Sequence, residues 1–176
     1  SDSGRRRRYA DGLLYDAEGK SRHLSELQGR YILLDFWSIY CGPCRMSEPE
    51  MEEIVHLYGD KLTLVGISND EKISWNKFLK EHKMPGYQWN EPKNGGRSLA
   101  SRYKVGSIPH FVLISPEGKI LKMWTGYRKG ILKSKLKKLY QKIPYNNLHS
   151  AGVLSTFSKI KLYQARIIIF LTRQKF

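Results

Sequence analysis

The 176-residue chain is 40% hydrophobic, a size and composition that suit one domain with a sizeable core and some excess chain. Its formal net charge is +15, and the excess lies mainly after residue 117, where 14 basic and no acidic residues occur. No nucleic-acid recognition motif accompanies these charges, so we interpret them as a solvated face and expect no nucleic-acid partner. No apolar run approaches the roughly 18 residues that a transmembrane helix needs.

The first part of the chain is predicted to contain a short hairpin. Residues 1–10 are polar and basic, and we expect a flexible segment there. Apolar residues around Leu14, a turn at Gly19 and a returning segment predict two short strands. One helical turn is expected over residues 24–28. Residues 31–37 form an apolar run, which indicates a central strand that is buried on both faces.

The middle of the chain is predicted to alternate helices with a strand. After Cys44, apolar residues recur at helical spacing from Met51 to Tyr58, which predicts a helix that runs to the break at Gly59, and Pro49 lies within this helix. A strand is predicted over residues 62–67 and a second helix over residues 75–83.

Residues 84–97 are rich in proline, glycine and asparagine and are predicted to form a loop. Tyr87 and Trp89 either line a substrate groove or, as we favour, pin this loop to the core. A short helix over residues 99–103 is expected to follow it.

The last predicted elements are two strands and a helix. A strand opens at Pro109 and ends at Ile114, and residues 115–119 form a turn into an antiparallel strand over residues 120–125. Leucines at helical spacing then predict an amphipathic closing helix over residues 132–140.

The only two cysteines, Cys41 and Cys44, lie where the apolar strand passes into the first helix. Unpaired N–H groups at a helix N-terminus stabilise a thiolate, which is the nucleophile in disulfide exchange. Pro43 favours a first helical turn, and Gly42 keeps the approach to the sulfur open. The spacing places both side chains on one helix face, so the pair is predicted to cycle between dithiol and disulfide.

Three other uses of a Cys-x-x-Cys pair fit the sequence less well. Zinc usually takes four ligands, but there is no second cysteine pair and no His-x(3–5)-His spacing. Covalent haem attachment needs a histidine after the second cysteine, where this chain has Arg45. A purely structural disulfide that closes so short a loop adds little stability, because it restricts the unfolded chain only slightly. We therefore expect no metal and no cofactor beyond a redox-active disulfide.

Asp35 interrupts the apolar strand six residues before Cys41. A buried carboxylate costs free energy unless it is hydrogen-bonded or protonated. Asp35 is either a functional group whose pKa is raised by desolvation, or an ordinary acid that faces solvent or is satisfied by a neighbour. We favour the functional interpretation.

The segment Asp-Phe-Trp-x-x-Tyr-Cys-Gly-Pro-Cys-Arg, residues 35–45, resembles the active site of the thioredoxin superfamily. The resemblance implies that Cys41 attacks a substrate disulfide, that Cys44 resolves the mixed disulfide, and that Asp35 beneath the pair assists proton transfer at Cys44. Tyr40 stands where the superfamily usually has tryptophan. We expect that difference to change substrate contacts rather than the chemistry.

Ile108-Pro109 is similar to an x-Pro bond that is cis and faces the disulfide in this superfamily. The adjacent backbone would then pair with an extended substrate. His110 departs from the threonine common at this place. It either tunes the nearby thiolate or helps to select substrates, or, as we favour, it is an ordinary strand residue. The expected substrate-binding residues are Trp37, Tyr40, Gly42, Pro43, Ile108, Pro109 and His110.

The hairpin and a helical insertion before Pro109 resemble the TlpA-like branch of bacterial thiol-disulfide oxidoreductases. The implied fold is α/β and thioredoxin-like: a central mixed sheet flanked by helices, with an N-terminal β-hairpin and an α-helical insertion before the cis-proline. We expect this domain to span residues 11–144, with a C-terminal extension of unknown structure at residues 145–176.

The implied activity is reduction of protein disulfides; the alternatives are a disulfide oxidant or isomerase, and a redox-silent binding module of the same fold. The expected partners are a disulfide-bearing protein and an upstream thiol electron donor, which in this branch is often membrane-bound. We expect a monomer. Because the chain begins at Ser1 without a leader, it is predicted to be a processed protein or a fragment. The branch implies a periplasmic or membrane-anchored location, with the cytoplasm as the alternative.

Overall fold

The computed structural model describes residues 7–93 and 98–140. The chain divides into two compact units, Ser1–Lys135 and Leu136–Phe176, and the second is described only as far as residue 140. The domain limit predicted at residue 144 and the extension after it lie outside the described residues and stay predictions. No helix among the described residues is long and apolar enough to cross a membrane.

The described residues form seven strands, four α-helices and one 3₁₀ turn. The strands are β1 (Leu14–Tyr15), β2 (Ser21–Arg22), β3 (Tyr31–Trp37), β4 (Leu62–Ser68), β5 (Tyr87–Asn90), β6 (His110–Ile114) and β7 (Ile120–Thr125). The helices are α1 (Gly42–Tyr58), α2 (Lys72–Glu81), α3 (Leu99–Arg102) and α4 (Ile131–Tyr140), and the 3₁₀ turn covers Leu24–Leu27.

All seven strands belong to one mixed sheet in the order β2-β1-β5-β4-β3-β6-β7. The strand β3 lies between β4, to which it is parallel, and β6, to which it is antiparallel. The strands β1 and β2 form the predicted antiparallel hairpin. The predicted α/β fold with a central mixed sheet and an N-terminal hairpin is confirmed.

The two faces of β3 serve different purposes because successive side chains of a strand point to opposite sides. Ile32, Leu34 and Phe36 enter the main hydrophobic cluster together with residues of β4, β6 and α3. Trp37 lies on the other face, in a smaller cluster with Cys44 and Trp75. One face therefore stabilises the domain, and the other supports the cysteine pair.

Residues 7–10 are held on the domain, in contrast to the flexible segment expected at residues 1–10. The amide of Tyr9 donates to the carbonyl of Gly118 at 3.0 Å, and the amide of Ile120 donates to the carbonyl of Arg7 at 2.9 Å. Residues 1–6 lie outside the described part of the chain.

The loop predicted over residues 84–97 is wrong for its first half, because β5 lies within it and pairs parallel with β4. The backbone enters β5 through Gly86, whose φ of +73° favours glycine. Trp89 is buried in the main cluster, whereas Tyr87 is half exposed. Proline and glycine border this four-residue strand, and its side chains pass from exposed to buried without alternating, so the sequence carries no strand pattern there.

The start of α4 is held by Glu50 of α1, which is almost fully buried. One carboxyl oxygen accepts from the Tyr127 hydroxyl and the Gly130 amide, both at 2.9 Å, and the other accepts from the Lys133 amide at 2.9 Å. These amides belong to the first turn of α4 and its approach, where no carbonyl within the helix can pair with them. A side chain from another helix thus caps α4.

We expect Glu50→Ala to lower the free energy of unfolding by about 2–4 kcal/mol, because it leaves buried donors without partners. Denaturant unfolding measures the change. The matched control is Glu53→Gln, since Glu53 lies on the same helix in an exposed pair with Lys133; its cost should be about 0.5 kcal/mol or less. Equal costs for the two variants would contradict the capping role of Glu50.

Candidate active site

Cys41 is the N-cap residue of α1, as the sequence predicts. Gly42 and Pro43 occupy the first two helical positions, where the missing N–H of proline removes no helical hydrogen bond. The Cys44 amide points to the Cys41 sulfur at 3.3 Å. One N–H group of the first turn, that of Cys44, therefore points to the sulfur that is predicted to attack.

Cys41 and Cys44 are joined by a disulfide, with an S–S distance of 2.10 Å and a Cα–Cα distance of 5.3 Å. Cys44 is buried in the cluster with Trp37 and Trp75, whereas Cys41 packs at the edge of that cluster and is partly exposed. The exposed sulfur is thus the one that an external disulfide can reach, and the buried sulfur is shielded behind it.

Three exposed apolar side chains come from segments next to the disulfide, and we call them the rim: Tyr40, Met46 and Ile108. Tyr40, which directly precedes Cys41, is 83% exposed. Gly42 and Pro43 are exposed as well. The exposed residues on either side of Cys41, Tyr40 and Gly42, are therefore uncharged.

The Ile108–Pro109 peptide bond is cis, in agreement with the expectation from the sequence. His110 follows it and is only 6% exposed. One ring nitrogen of His110 lies 2.7 Å from the Thr125 hydroxyl of β7, and burial lowers the pKa of the ring. The burial of this ring does not support the substrate contact expected at His110, because the side chain is not on the outer surface.

A pocket of about 250 Å³ lies beside the carboxyl ends of β3 and β4. Trp37 and Ile108 line its wall, together with Asn69 and Ser107. The predicted site residue Trp37 is 2% exposed, and it lines this pocket rather than the outer rim.

Asp35 is 2% exposed, and one of its carboxyl oxygens is buried without a hydrogen-bond partner. It lies on the same face of β3 as Trp37, two residues away, and therefore under α1. Burial, together with a smaller contribution from the nearby charge of Glu48, raises the pKa of Asp35 to about 8. The desolvation expected from the sequence is present.

Glu48 is a second carboxyl group near Asp35 that the sequence analysis does not identify. It forms an ion pair with Arg45 on α1, and the Arg45 guanidinium lies 4.6 Å from the centre of the Phe78 ring. Burial raises the pKa of Glu48, while Arg45 and His82 act in the opposite direction. The sequence did contain a signal for Glu48. It lies four residues after Cys44, so the two side chains share one face of α1.

The loop before Cys41 is also held by a residue that the sequence analysis leaves out. Asp70, two residues after β4, accepts hydrogen bonds from the Ser38 hydroxyl and the Ile39 amide.

Among the described residues, no group of three or more histidine, cysteine, aspartate or glutamate side chains is arranged to hold a metal ion.

Residues 29–120 match the family model described as thioredoxin-like, and this match covers more than half of the chain. The chain belongs to the thioredoxin-like family. The superfamily predicted from residues 35–45 is therefore confirmed, and relatives named ResA support the TlpA-like branch.

Relatives of this thioredoxin-like chain include the thiol-disulfide oxidoreductase ResA of Bacillus subtilis strain 168, which is 31% identical over 116 residues. That match covers 65% of this chain and 63% of ResA. The chain spans 63% to 65% of the length of the first three ResA proteins that it matches.

Two solved structures share the fold. A thiol:disulfide interchange protein from Bacteroides sp. has a TM-score of 0.70 and 26% identity, with 82% of this thioredoxin-like chain and 95% of that chain covered. The exposed lipoprotein thioredoxin Etrx1 of Streptococcus pneumoniae has a TM-score of 0.63 and 26% identity, covering 73% of this chain and 99% of that one.

The raised pKa of Asp35 predicts that stability falls with rising pH. Between about pH 4 and pH 8 the folded protein holds a proton that the unfolded chain has lost, so the free energy of unfolding decreases. We expect Asp35→Asn to remove this dependence, so that its stability relative to the wild type rises by several kcal/mol from pH 4 to pH 8. Denaturant unfolding of the oxidised protein measures the difference. A constant difference across that range would contradict the buried acid.

Glu48→Gln should lower the pKa of Asp35, because it removes a like charge. The midpoint of the Asp35 carboxyl signal in a ¹³C NMR titration reports the change. Glu53→Gln is the matched control, since it makes the same charge change on an exposed part of α1 and should leave the midpoint in place. An unshifted midpoint in Glu48→Gln would show that the two carboxyl groups do not interact.

Proposed function

We propose that this protein is a thiol-disulfide oxidoreductase that reduces protein disulfides. The observation that carries the proposal is the Cys41–Cys44 disulfide at the N-terminus of α1, with one sulfur accessible and the other buried. The similarity to proteins named thiol-disulfide oxidoreductases supports the same activity.

The reaction starts from the dithiol form. The Cys41 thiolate attacks a substrate disulfide, a mixed disulfide forms, and one substrate thiolate leaves. Cys44 then attacks the Cys41 sulfur, which re-forms the Cys41–Cys44 disulfide and releases the second substrate thiolate. Two electrons pass from the enzyme to the substrate. The disulfide is the only redox group that the chemistry requires, and an upstream thiol donor restores the dithiol.

Asp35 is proposed to move the proton in the second step. Cys44 must lose a proton before it attacks, and Asp35 is the buried carboxyl group on the strand face beneath it. A carboxyl group with a pKa of about 8 changes its protonation state near neutral pH, so it can both accept and return this proton.

The substrate is proposed to bind as an extended segment across the rim and beside Pro109. The exposed side chains of Tyr40 and Ile108 would contact its apolar groups, and Gly42 and Pro43 leave room for its backbone near Cys41. Trp37 would contribute a wall of the 250 Å³ pocket. We propose that His110 supports Pro109 from within the sheet rather than touching the substrate.

We propose an extracytoplasmic location, periplasmic or anchored to a membrane, and a membrane-bound thiol donor. The similarity to a protein described as an exposed lipoprotein thioredoxin supports this location. Action as a monomer is part of the same proposal.

The first test is the reduction of insulin disulfides by dithiothreitol, followed by turbidity. The wild type should accelerate the reaction, and Cys41→Ser should reduce the rate to the uncatalysed background, because no thiolate is left to attack. Equal rates for the two proteins would contradict the enzymatic function.

The second test separates the reductase from a redox-silent binding module. Cys44→Ser should accumulate mixed disulfides with substrate proteins, since the resolving thiol is missing. The Cys41→Ser, Cys44→Ser double variant should capture none. Equal recovery of partners by the double variant would favour the binding module. An equilibrium reduction potential near that of thioredoxin, about −270 mV, is expected for a reductase, and a value far above it would indicate an oxidant.

A further inference from the structure

We infer that Asp70 is a positioning residue for Cys41, acting through the active-site loop, which we define as residues 38–40. The expected effect on the rate of insulin reduction rests on the proposed thiol-disulfide exchange. The contacts that carry it are hydrogen bonds between side chains and backbone that lie far apart in the sequence.

The Asp70 carboxyl group binds the active-site loop at two points. One oxygen accepts from the Ser38 hydroxyl at 2.7 Å, and the other accepts from the Ile39 amide at 2.8 Å. Ser38 in turn accepts from the Tyr40 amide through its hydroxyl at 3.3 Å and from the Cys41 amide through its carbonyl at 3.1 Å. A single carboxyl group therefore orders the whole approach to the N-cap residue.

Asp70 is itself held in place from the sheet. Its second carboxyl oxygen accepts from the Ser68 hydroxyl at 2.7 Å, and its amide donates back to that hydroxyl at 3.0 Å. The Asn90 side chain of β5 donates to the carbonyls of Ser68 and Asp70 at 3.1 and 3.0 Å. The ends of β4 and β5 thus form a rigid base for the active-site loop.

Asp70 affects the geometry in which Cys41 attacks and leaves the identity of the nucleophile unchanged. Cys41 must present its sulfur in line with a substrate disulfide, and small displacements of a reacting atom reduce rates steeply. Without Asp70, the Ile39 amide and the Ser38 hydroxyl lose their acceptor, and the loop is no longer tied to β4. Tyr40 belongs to the same loop, so its exposed ring would move with it.

The test compares Asp70→Ala with Asp70→Asn. The side-chain carbonyl of asparagine can accept from the Ile39 amide and the Ser68 hydroxyl, and its NH₂ can donate to the Ser38 oxygen. We expect Asp70→Ala to lower the alkylation rate of reduced Cys41 by iodoacetamide, and kcat/KM for insulin reduction, by about tenfold or more. Asp70→Asn should stay within about threefold of the wild type in both measurements.

Asp11→Ala is the matched control for lost stability. Asp11 accepts hydrogen bonds from the amides of Gly12, Leu24 and Ser25 in the N-terminal part of the chain. The Asp11→Ala substitution should destabilise the fold and leave the rate of Cys41 alkylation within about twofold of the wild type. Far-UV circular dichroism and denaturant unfolding confirm that each variant is folded in the assay.

A double-mutant cycle with Ser38→Ala adds an independent measurement. If Asp70 acts through the loop, the losses in alkylation rate for Ser38→Ala and Asp70→Ala should not add. Additive losses, a folded Asp70→Ala protein with wild-type alkylation, or an equal loss in Asp11→Ala would each overturn the inference. Alkylation needs no reductase activity, so a wild type that fails to reduce insulin refutes the proposed function and leaves this test intact.

Discussion

The structure depends on the docking of the N-terminus of α1 against the end of β3. There Cys41 caps the helix, while Cys44 enters the aromatic cluster that contains Trp37 and Trp75. This arrangement places one sulfur under the influence of the helix N-terminus and the other in an apolar environment. The asymmetry between the two cysteines arises from this docking, since their chemical type is the same.

Three carboxyl groups, the buried Asp35 and Glu50 and the partly buried Asp70, differ in their hydrogen bonds. Glu50 and Asp70 accept several hydrogen bonds each and hold segments of the chain together. Asp35 has a buried oxygen with no partner and has Glu48 as a neighbouring charge. A carboxyl group without donors favours its protonated form, which suits proton transfer, whereas a carboxylate with several donors favours a fixed position.

Much of the fold could be predicted because the relevant patterns are local. The apolar run of β3, the helical spacing of α1 and the turn before β7 depend on residues close in sequence, and all three elements are present. The strand β5 was missed because it is short and bordered by proline and glycine, and only pairing with β4 reveals it as a strand. Residues 7–10 were likewise assigned to a flexible segment, because most of their hydrogen-bond partners lie 93 or more positions later.

The sequence by itself determined the cysteine pair, its place at the start of a helix and the acid six residues before it, because these features lie within one short segment. Only the tertiary structure decided which side chains surround that segment. The ion pair of Glu48, the burial of His110 and the contacts of Asp70 with Ser38 depend on how separate elements pack. Packing brings together residues whose separation in the sequence carries no periodic signal, and for that reason no local pattern predicts them.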